Sequence, residues 1–198
     1  IYEDEIDHEI SFSVFVNRFV AALKTIENSY GVDVIEFESS MLDEEIKKQR
    51  ITSMMEDALK NKHFKIYYQP KHETSTSKLV GFEALVRWHD PEIGMISPGD
   101  FINIFENNGF IYKLDMYVFE QVLNDLNQLK KLGIKPVPVS INLSRRDFVS
   151  INIEHDFVKL IEKYDIEKSL IHFEITESIC GSSKEVIAVA NKLKEAGF

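Results

Sequence analysis

Cysteine is almost absent from this sequence, since Cys180 is the only one among 198 residues. One cysteine cannot form an internal disulfide, which is typical of proteins from a reducing compartment. No pattern around Cys180 indicates an activated thiol, so we interpret it as a small packed residue. We expect a cytoplasmic protein, either on its own or as part of a membrane-attached multidomain chain.

Long apolar runs are also missing. The stretch Phe12–Leu23 is apolar but is interrupted by Asn17 and Arg18, and a membrane span needs about 20 apolar residues. The same stretch lacks the small-residue cleavage site of a signal peptide. The sequence therefore predicts neither a transmembrane helix nor secretion through such a peptide.

Basic residues are in the minority, with 23 Lys and Arg against 33 Asp and Glu and a formal net charge of −10. Such a surface repels a polyanion unless basic residues are concentrated in one patch. The basic clusters in the sequence are short, at Lys47–Arg50 and Arg145–Arg146. We therefore expect no DNA or RNA polymer as a partner.

Several catalytic and phosphate-binding motifs are absent as well. The sequence contains neither GxGxxG nor GxxxxGK[ST], which excludes the common glycine-rich phosphate loops. It also lacks GxSxG, the strand-to-helix turn that carries an esterase nucleophile. Any chemistry on a phosphate must therefore come from another arrangement of residues.

What the sequence does contain is an alternation of helices and strands from about residue 41 onward. The predicted strands are Phe64–Gln69, Lys78–Trp88, Pro138–Ser144 and Leu170–Thr176. The predicted helices are one with the apolar stripe Ile51, Met54, Met55, Ala58 and Leu59, one long helix from Ser97 to Gly133, one around Phe157–Tyr164 and one over Ser182–Ala196. Before residue 41 we predict a helical stretch through Leu23 and a short strand, Val32–Phe37.

This order predicts an α/β fold with a parallel sheet, because short loops join strand, helix and strand in turn. A doubly wound sheet and a barrel look alike in such a pattern. A strand covered by helices on both faces reads as continuously apolar, whereas these strands have one apolar and one polar face. In the second strand the polar side includes Glu83 and Arg87, opposite Ala84 and Trp88. This favours a barrel, whose sites lie at the carboxyl ends of the strands.

Three side chains on the polar faces carry oxygen atoms suited to Mg²⁺ or Mn²⁺. They are Glu83, Asn142 and Glu174, each from a different predicted strand. His172 shares a face with Glu174 but lies further from the strand end, so we expect it to pack behind the ligands. The pattern leaves open whether the three form one shared metal site or are separate polar residues.

Five blocks in this order resemble the EAL domain of cyclic di-GMP phosphodiesterases. They are Tyr68–Pro70, Phe82–Trp88, Ile96–Ile102, Asn142–Ser144 and Phe173–Ser178. The resemblance implies a modified TIM-type (β/α)₈ barrel that hydrolyses the bacterial messenger cyclic di-GMP to linear pGpG. It also implies a two-metal site for Mg²⁺ or Mn²⁺ in the complete domain, with Ca²⁺ inhibitory.

The resemblance also assigns roles to individual residues. It implies that Glu83, Asn142 and Glu174 are metal ligands, with Glu83 essential for catalysis. It implies that Gln69, Leu85 and Arg87 contact the substrate. Glu177 is counted with the catalytic residues because it orders a loop at the site in this family.

The resemblance covers only part of a domain, since the family continues with an Asp-Asp-Phe-Gly-Thr-Gly block after the last helix. We expect residues 41–198 to carry about the first five strands, and turnover to need the residues that follow. Residues 1–40 resemble the tail of a GGDEF domain plus a linker, on Asn17–Lys24, Ser29–Gly31 and Val34–Phe37. Upstream regulatory domains and a homodimer are in keeping with the family.

Two alternatives to a phosphodiesterase remain. A degenerate EAL domain would bind cyclic di-GMP, or a protein partner, without cleaving the nucleotide. An unrelated metal-dependent barrel enzyme would share the polar strand ends only. The retained Glu83 favours the enzyme, because degenerate members often lose this residue.

Overall fold

The computed structural model describes residues 10–27, 34–144, 148, 153–175 and 184–198. Its helices and strands, in chain order, are α1 Phe12–Glu27, α2 Ser39–Lys60, β1 Phe64–His72, β2 Leu79–Asp90, β3 Gly94–Ile96, α3 Pro98–Asn108, α4 Ile111–Lys131, β4 Val139–Asn142, α5 Ile153–Tyr164, β5 Ile171–Glu174 and α6 Lys184–Glu195. None of the helices in these ranges is both long and apolar enough to cross a bilayer.

The chain divides into two compact units, Ile1–Met54 and Met55–Phe198. Within the first unit, α1 contacts α2 through an ion pair between Lys24 and Glu45. The predicted strand Val32–Phe37 is wrong over residues 34–37, which have no regular structure. The described part of this unit offers no neighbouring strand for hydrogen bonding, and the ring of Phe37 lies 5.4 Å from the guanidinium of Arg18.

The second unit is built on one sheet with the strand order β1-β2-β4-β5. Strands β2, β4 and β5 are parallel, and helices connect them as the sequence pattern predicts. Strand β1 is antiparallel to β2, with Phe64 opposite Trp88. The result is an α/β fold with a partial parallel sheet, consistent with part of a modified (β/α)₈ barrel.

The apolar face of the sheet packs against helix α3 through a cluster of aromatic rings. Trp88 is fully buried, and its ring lies 5.0 Å from Phe64, 5.6 Å from Phe101 and 5.8 Å from Phe105 between centroids. Burying large rings in this way is a major source of stability. This packing fixes which side of β2 faces the helices, and the opposite side is left for polar residues.

The long helix predicted from Ser97 to Gly133 is in fact two helices. Helix α3 begins at Pro98, directly after the extended residue Ser97. It ends at Asn108, and the next residue, Gly109, has a left-handed φ of 82°. Asn108 caps the break, since its Oδ1 accepts a hydrogen bond from the N–H of Phe110 at 2.9 Å. Helix α4 then ends before Gly133 (φ 71°), as predicted for a glycine that terminates a helix.

Strand β3 is the one strand that the sequence pattern did not predict. It pairs antiparallel with the end of β2, with Trp88 opposite Ile96. The turn between them is held by Asp90, whose Oδ1 accepts hydrogen bonds from the N–H groups of Glu92 and Ile93 at 3.0 and 2.9 Å. Strand β3 has three residues, which are too few to show a recognisable alternation of apolar and polar side chains.

Candidate functional site

The polar faces of four strands form a single surface on the side of the sheet away from the aromatic cluster. Backbone pairing places Gln69 beside Glu83, and Glu83 beside Ser140. Ser140 in turn lies beside His172, and Asn142 beside Glu174. Successive strand residues point to opposite faces, so these side chains share one side. We call this surface the polar strand face.

Glu83 and Asn142, two of the predicted metal ligands, are in direct contact. The amide Nδ2 of Asn142 donates a hydrogen bond to Glu83 Oε1 at 2.8 Å. Asn142 is the last residue of β4 and is exposed, while Glu83 lies within β2 and is half-buried. The structure therefore brings together two residues that are far apart in sequence.

The third predicted ligand, Glu174, has a different partner. Its Oε1 accepts a hydrogen bond from the ammonium of Lys71, with which it forms an ion pair. Lys71 also donates to the hydroxyl of Ser140 at 2.8 Å. The Lys71 ammonium lowers the pKa of the Glu174 carboxyl below its usual range, more than partial burial raises it.

Gly81 allows the backbone at Pro138 to approach β2 closely. Gly81 is the backbone partner of Lys71 across β1 and β2, and it has no side chain to fill the space between β1 and β4. A Cβ atom at Gly81 would lie 2.8 Å from the carbonyl oxygen of Pro138. The residues around this opening line a cavity of about 370 Å³, namely Lys71, Val80, Gly81, Pro138, Ser140, His172 and Glu174.

The predicted substrate contacts lie further along the same strands. Leu85 is paired with Tyr67 on β1. The guanidinium of Arg87 lies 6.0 Å from the centre of the Tyr67 ring and donates a hydrogen bond to the carbonyl of Val86 at 2.8 Å. The Tyr67 ring is also stacked on His89. Arg87 is thus held at the carboxyl-terminal part of β2, beyond Glu83.

Three further predictions concern Glu177, Cys180 and His172. Glu177 and Cys180 lie outside the described residues, so their roles stay predictions. The expectation that His172 packs behind the ligands is wrong, because His172 is exposed and lines the cavity beside Glu174.

Sequence reasoning missed Lys71 and Ser140 as members of the site. Ser140 was on the polar side of a predicted strand, two residues before Asn142, but a serine hydroxyl is not a usual ligand for a hard cation. Lys71 lies two residues beyond Gln69, where the predicted strand ends, whereas β1 continues to His72. Extending the alternation past Gln69 would have placed Lys71 on the polar side.

The donors that the structure brings to this face fit a hard divalent cation in their chemistry. Carboxylates and amide oxygens are the ligands that Mg²⁺ and Mn²⁺ prefer, and β2, β4 and β5 each present one. In the described part of the chain no three Asp, Glu, His or Cys side chains gather in one place. Asn142 lies beside Glu83, and Glu174 is bound to Lys71.

A larger cavity, of about 760 Å³, lies at α4 and α5, away from this face. It is lined by Leu59, Tyr112, Lys113, Met116, Tyr117, Glu120, Asp156, Lys159, Leu160 and Lys163. Most of its charged lining residues are in ion pairs or hydrogen bonds with one another or with neighbouring helices. We therefore assign the functional site to the polar strand face.

Comparison with known proteins identifies several that are similar to this chain in sequence. The biofilm architecture maintenance protein MbaA of Vibrio cholerae is 28% identical over 169 residues, which are 85% of this chain and 21% of that protein. The cyclic di-GMP phosphodiesterase PdeL of Escherichia coli is 32% identical over 120 residues, which are 61% of this chain and 33% of that protein. The chain thus spans a third or less of these relatives.

One solved structure shares the fold of this chain at a sequence identity close to that of these two relatives. The EAL enzyme Bd1971, in the form with cAMP and cyclic di-GMP bound, has a TM-score of 0.69 and 28% sequence identity over 94% of this chain and 48% of that one. The sequence itself matches the EAL domain over residues 52–198, which is most of its length. The chain therefore belongs to the EAL domain family.

Proposed function

We propose that the protein containing this chain hydrolyses cyclic di-GMP to linear pGpG in bacterial second-messenger signalling. The observation that carries the proposal is the polar strand face, where Glu83, Asn142 and Glu174 occupy adjacent parallel strands. Relatives named as cyclic di-GMP phosphodiesterases support the substrate. The retained Glu83 supports catalysis rather than binding alone.

The proposed reaction needs a divalent cation, because these carboxylates would otherwise repel a dianionic nucleotide. Glu83, Asn142 and Glu174 would hold Mg²⁺ or Mn²⁺ through their side-chain oxygens. A bound cation of this kind neutralises charge on a phosphate and lowers the pKa of a bound water. In this structure the Oε1 atom of Glu174 is occupied by Lys71.

The remaining residues of the face would bind and orient the nucleotide. The planar guanidinium of Arg87 can donate two parallel hydrogen bonds to a phosphate, and its position over the Tyr67 ring limits its motion. Gln69, next to Glu83, offers an amide to a guanine or ribose. Leu85, between Gln69 and Arg87 on this face, would supply an apolar contact to the nucleotide. Glu177 would order a loop at the site.

A second candidate is a receptor that binds cyclic di-GMP without cleaving it. One observation favours it: the Lys71 ammonium already neutralises Glu174, so the face can hold its charges without a metal. Such a receptor would bind the nucleotide equally well with and without Mg²⁺. It would release no pGpG under either condition.

The test is pGpG release from cyclic di-GMP by the complete gene product in the presence of Mg²⁺. We expect release to require Mg²⁺ and to be abolished by Glu83→Ala, because the substitution removes a metal-binding carboxylate. Glu92→Ala is the matched control, since Glu92 is an exposed carboxylate beyond the end of the same strand. Full turnover by Glu83→Ala would exclude Glu83 from the metal site, and Mg²⁺-independent binding without pGpG would favour the receptor.

A further inference from the structure

Lys71 joins the first and last strands of the sheet across its polar face. In the strand order β1-β2-β4-β5, Lys71 belongs to β1 and Glu174 to β5. The ammonium donates both to Glu174 and to the Ser140 hydroxyl on β4. A lysine on one edge strand therefore reaches a predicted metal ligand on the other edge strand.

To contact Ser140 on β4, the Lys71 side chain must cross β2. Strands β1 and β4 are two strand spacings apart, about 9.5 Å, and β2 lies between. The β2 residue opposite Lys71 is Gly81, so β2 presents no side chain directly beside Lys71 on this face. Lys71, Gly81, Ser140 and Glu174 all line the same cavity, which places the contact on the polar strand face.

We propose that Lys71 is a positioning residue that competes with the divalent cation for Glu174. In the metal-free protein its ammonium supplies the positive charge that holds the Glu174 carboxylate toward Ser140. When a divalent cation binds, the carboxylate exchanges the ammonium for the metal, and Lys71 keeps the Ser140 hydroxyl. This inference rests on the proposed metal site.

The pair must weaken metal binding for two physical reasons. Breaking it costs its own interaction free energy, and the freed ammonium then repels the nearby cation. Lys71 and Glu174 are 37% and 39% exposed in their side chains, so solvent screens both effects. Pairs this exposed contribute little, so removing the lysine should tighten metal binding by about twofold to fivefold.

The experiment compares Mn²⁺ binding by the complete gene product and its Lys71→Met variant, measured by calorimetry and by the spin-resonance signal of free Mn²⁺. Lys71→Gln is the second variant, because it removes the charge but keeps a hydrogen-bond donor. Lys65→Met is the matched control, since Lys65 lies on the same side of β1 and its removal changes the net charge equally. We expect the dissociation constant to fall in both Lys71 variants and to stay unchanged in Lys65→Met.

Thermal unfolding provides a second readout, because a purely structural role of Lys71 would destabilise its variants equally with and without metal. The Lys71 variants should be less stable than the wild type without metal and equally stable at saturating Mn²⁺, because the pair exists only in the metal-free state. An unchanged or weaker affinity for Mn²⁺ in both Lys71 variants would overturn the competition. Tighter binding without any pGpG release would support the competition while contradicting the proposed hydrolysis, and no Mn²⁺ binding by any of the proteins would contradict both.

Discussion

Gly81 shows how a single position affects both packing and chemistry. Its missing side chain allows the carbonyl of Pro138 to come close, and the Phe82 N–H donates to that carbonyl at 2.9 Å. Gly81 also lines the cavity that Lys71, Ser140 and Glu174 line. Glycine inside a strand usually weakens it, so its presence here is explained by close approach rather than by strand propensity.

Replacing Gly81 by alanine should destabilise the protein by about 1 to 3 kcal/mol, the usual cost of overpacking. The added Cβ would lie 2.8 Å from a backbone oxygen, which cannot rotate away as a side chain can. Denaturant unfolding measures the change. Gly99→Ala is the control, because a Cβ there meets nothing closer than 3.9 Å, and equal stabilities of the two variants would contradict the prediction.

At the scale of secondary structure, α4 is held against the sheet by both apolar burial and hydrogen bonds. Its buried stripe contains Ile111, Leu114, Val118, Phe119, Val122, Leu123 and Leu126. Polar contacts fix its position: the Tyr68 hydroxyl of β1 donates to Asp125 at 2.6 Å, and the Tyr117 hydroxyl donates to the Phe64 carbonyl at 3.0 Å. Burial and the nearby Asp125 carboxylate raise the pKa of Tyr68, so it stays a donor.

The contact between α4 and α5 should depend on pH. Glu120 on α4 accepts hydrogen bonds from Lys163 and Tyr164 on α5, at 2.8 and 3.0 Å. The Lys163 ammonium lowers the pKa of the Glu120 carboxyl despite partial burial. The folded state therefore binds this proton less readily than the unfolded state, and the stabilisation is present above the unfolded pKa and lost as pH falls through the folded pKa.

We accordingly expect Glu120→Gln to reduce the free energy of unfolding near neutral pH. The difference from the wild type should shrink as pH falls from about 6 to about 3, where the wild-type carboxyl is protonated. Urea unfolding at a series of pH values measures it. Glu162→Gln on α5 is a suitable control because Glu162 is exposed, and a difference that grew at low pH would contradict the assignment.

At the scale of the whole molecule, the net charge of −10 over these 198 residues opposes the proposed binding of an anionic nucleotide. That binding would therefore rely on local positive charge, from the proposed cation together with Arg87. Ligand that binds only the folded state stabilises it by mass action. Thermal stability thus reports nucleotide binding even where no cleavage occurs.

Cyclic di-GMP at about 100 times its dissociation constant should stabilise the EAL domain of the complete gene product by about 2.7 kcal/mol. For a domain of about 150 to 250 residues this raises the melting temperature by about 5 to 10 °C. Ca²⁺ in place of Mg²⁺ would keep the nucleotide intact during the measurement. Arg87→Ala should lose most of the shift, since it removes the proposed phosphate contact. Arg50→Ala, on exposed helix surface, should keep it, and an equal shift in both variants would contradict the role of Arg87.

The sequence alone determined the fold class, because strand alternation and helical periodicity are local properties of the chain. It also predicted that Glu83, Asn142 and Glu174 share one side of the sheet, since strand alternation fixes the side from which each residue points. It did not predict the break at Gly109, where an apolar stripe continued across a left-handed residue. It placed a strand at Val32–Phe37, where residues 34–37 have no strand partner among the described residues.

Tertiary structure decided which polar groups meet. Lys71 lies two residues beyond the predicted end of its strand, and its partner Glu174 is on β5, more than a hundred residues along the chain. Only the strand order brings the ammonium to Glu174. Side-chain periodicity specifies a face, whereas the choice of partner on that face depends on distances between strands that no local pattern encodes.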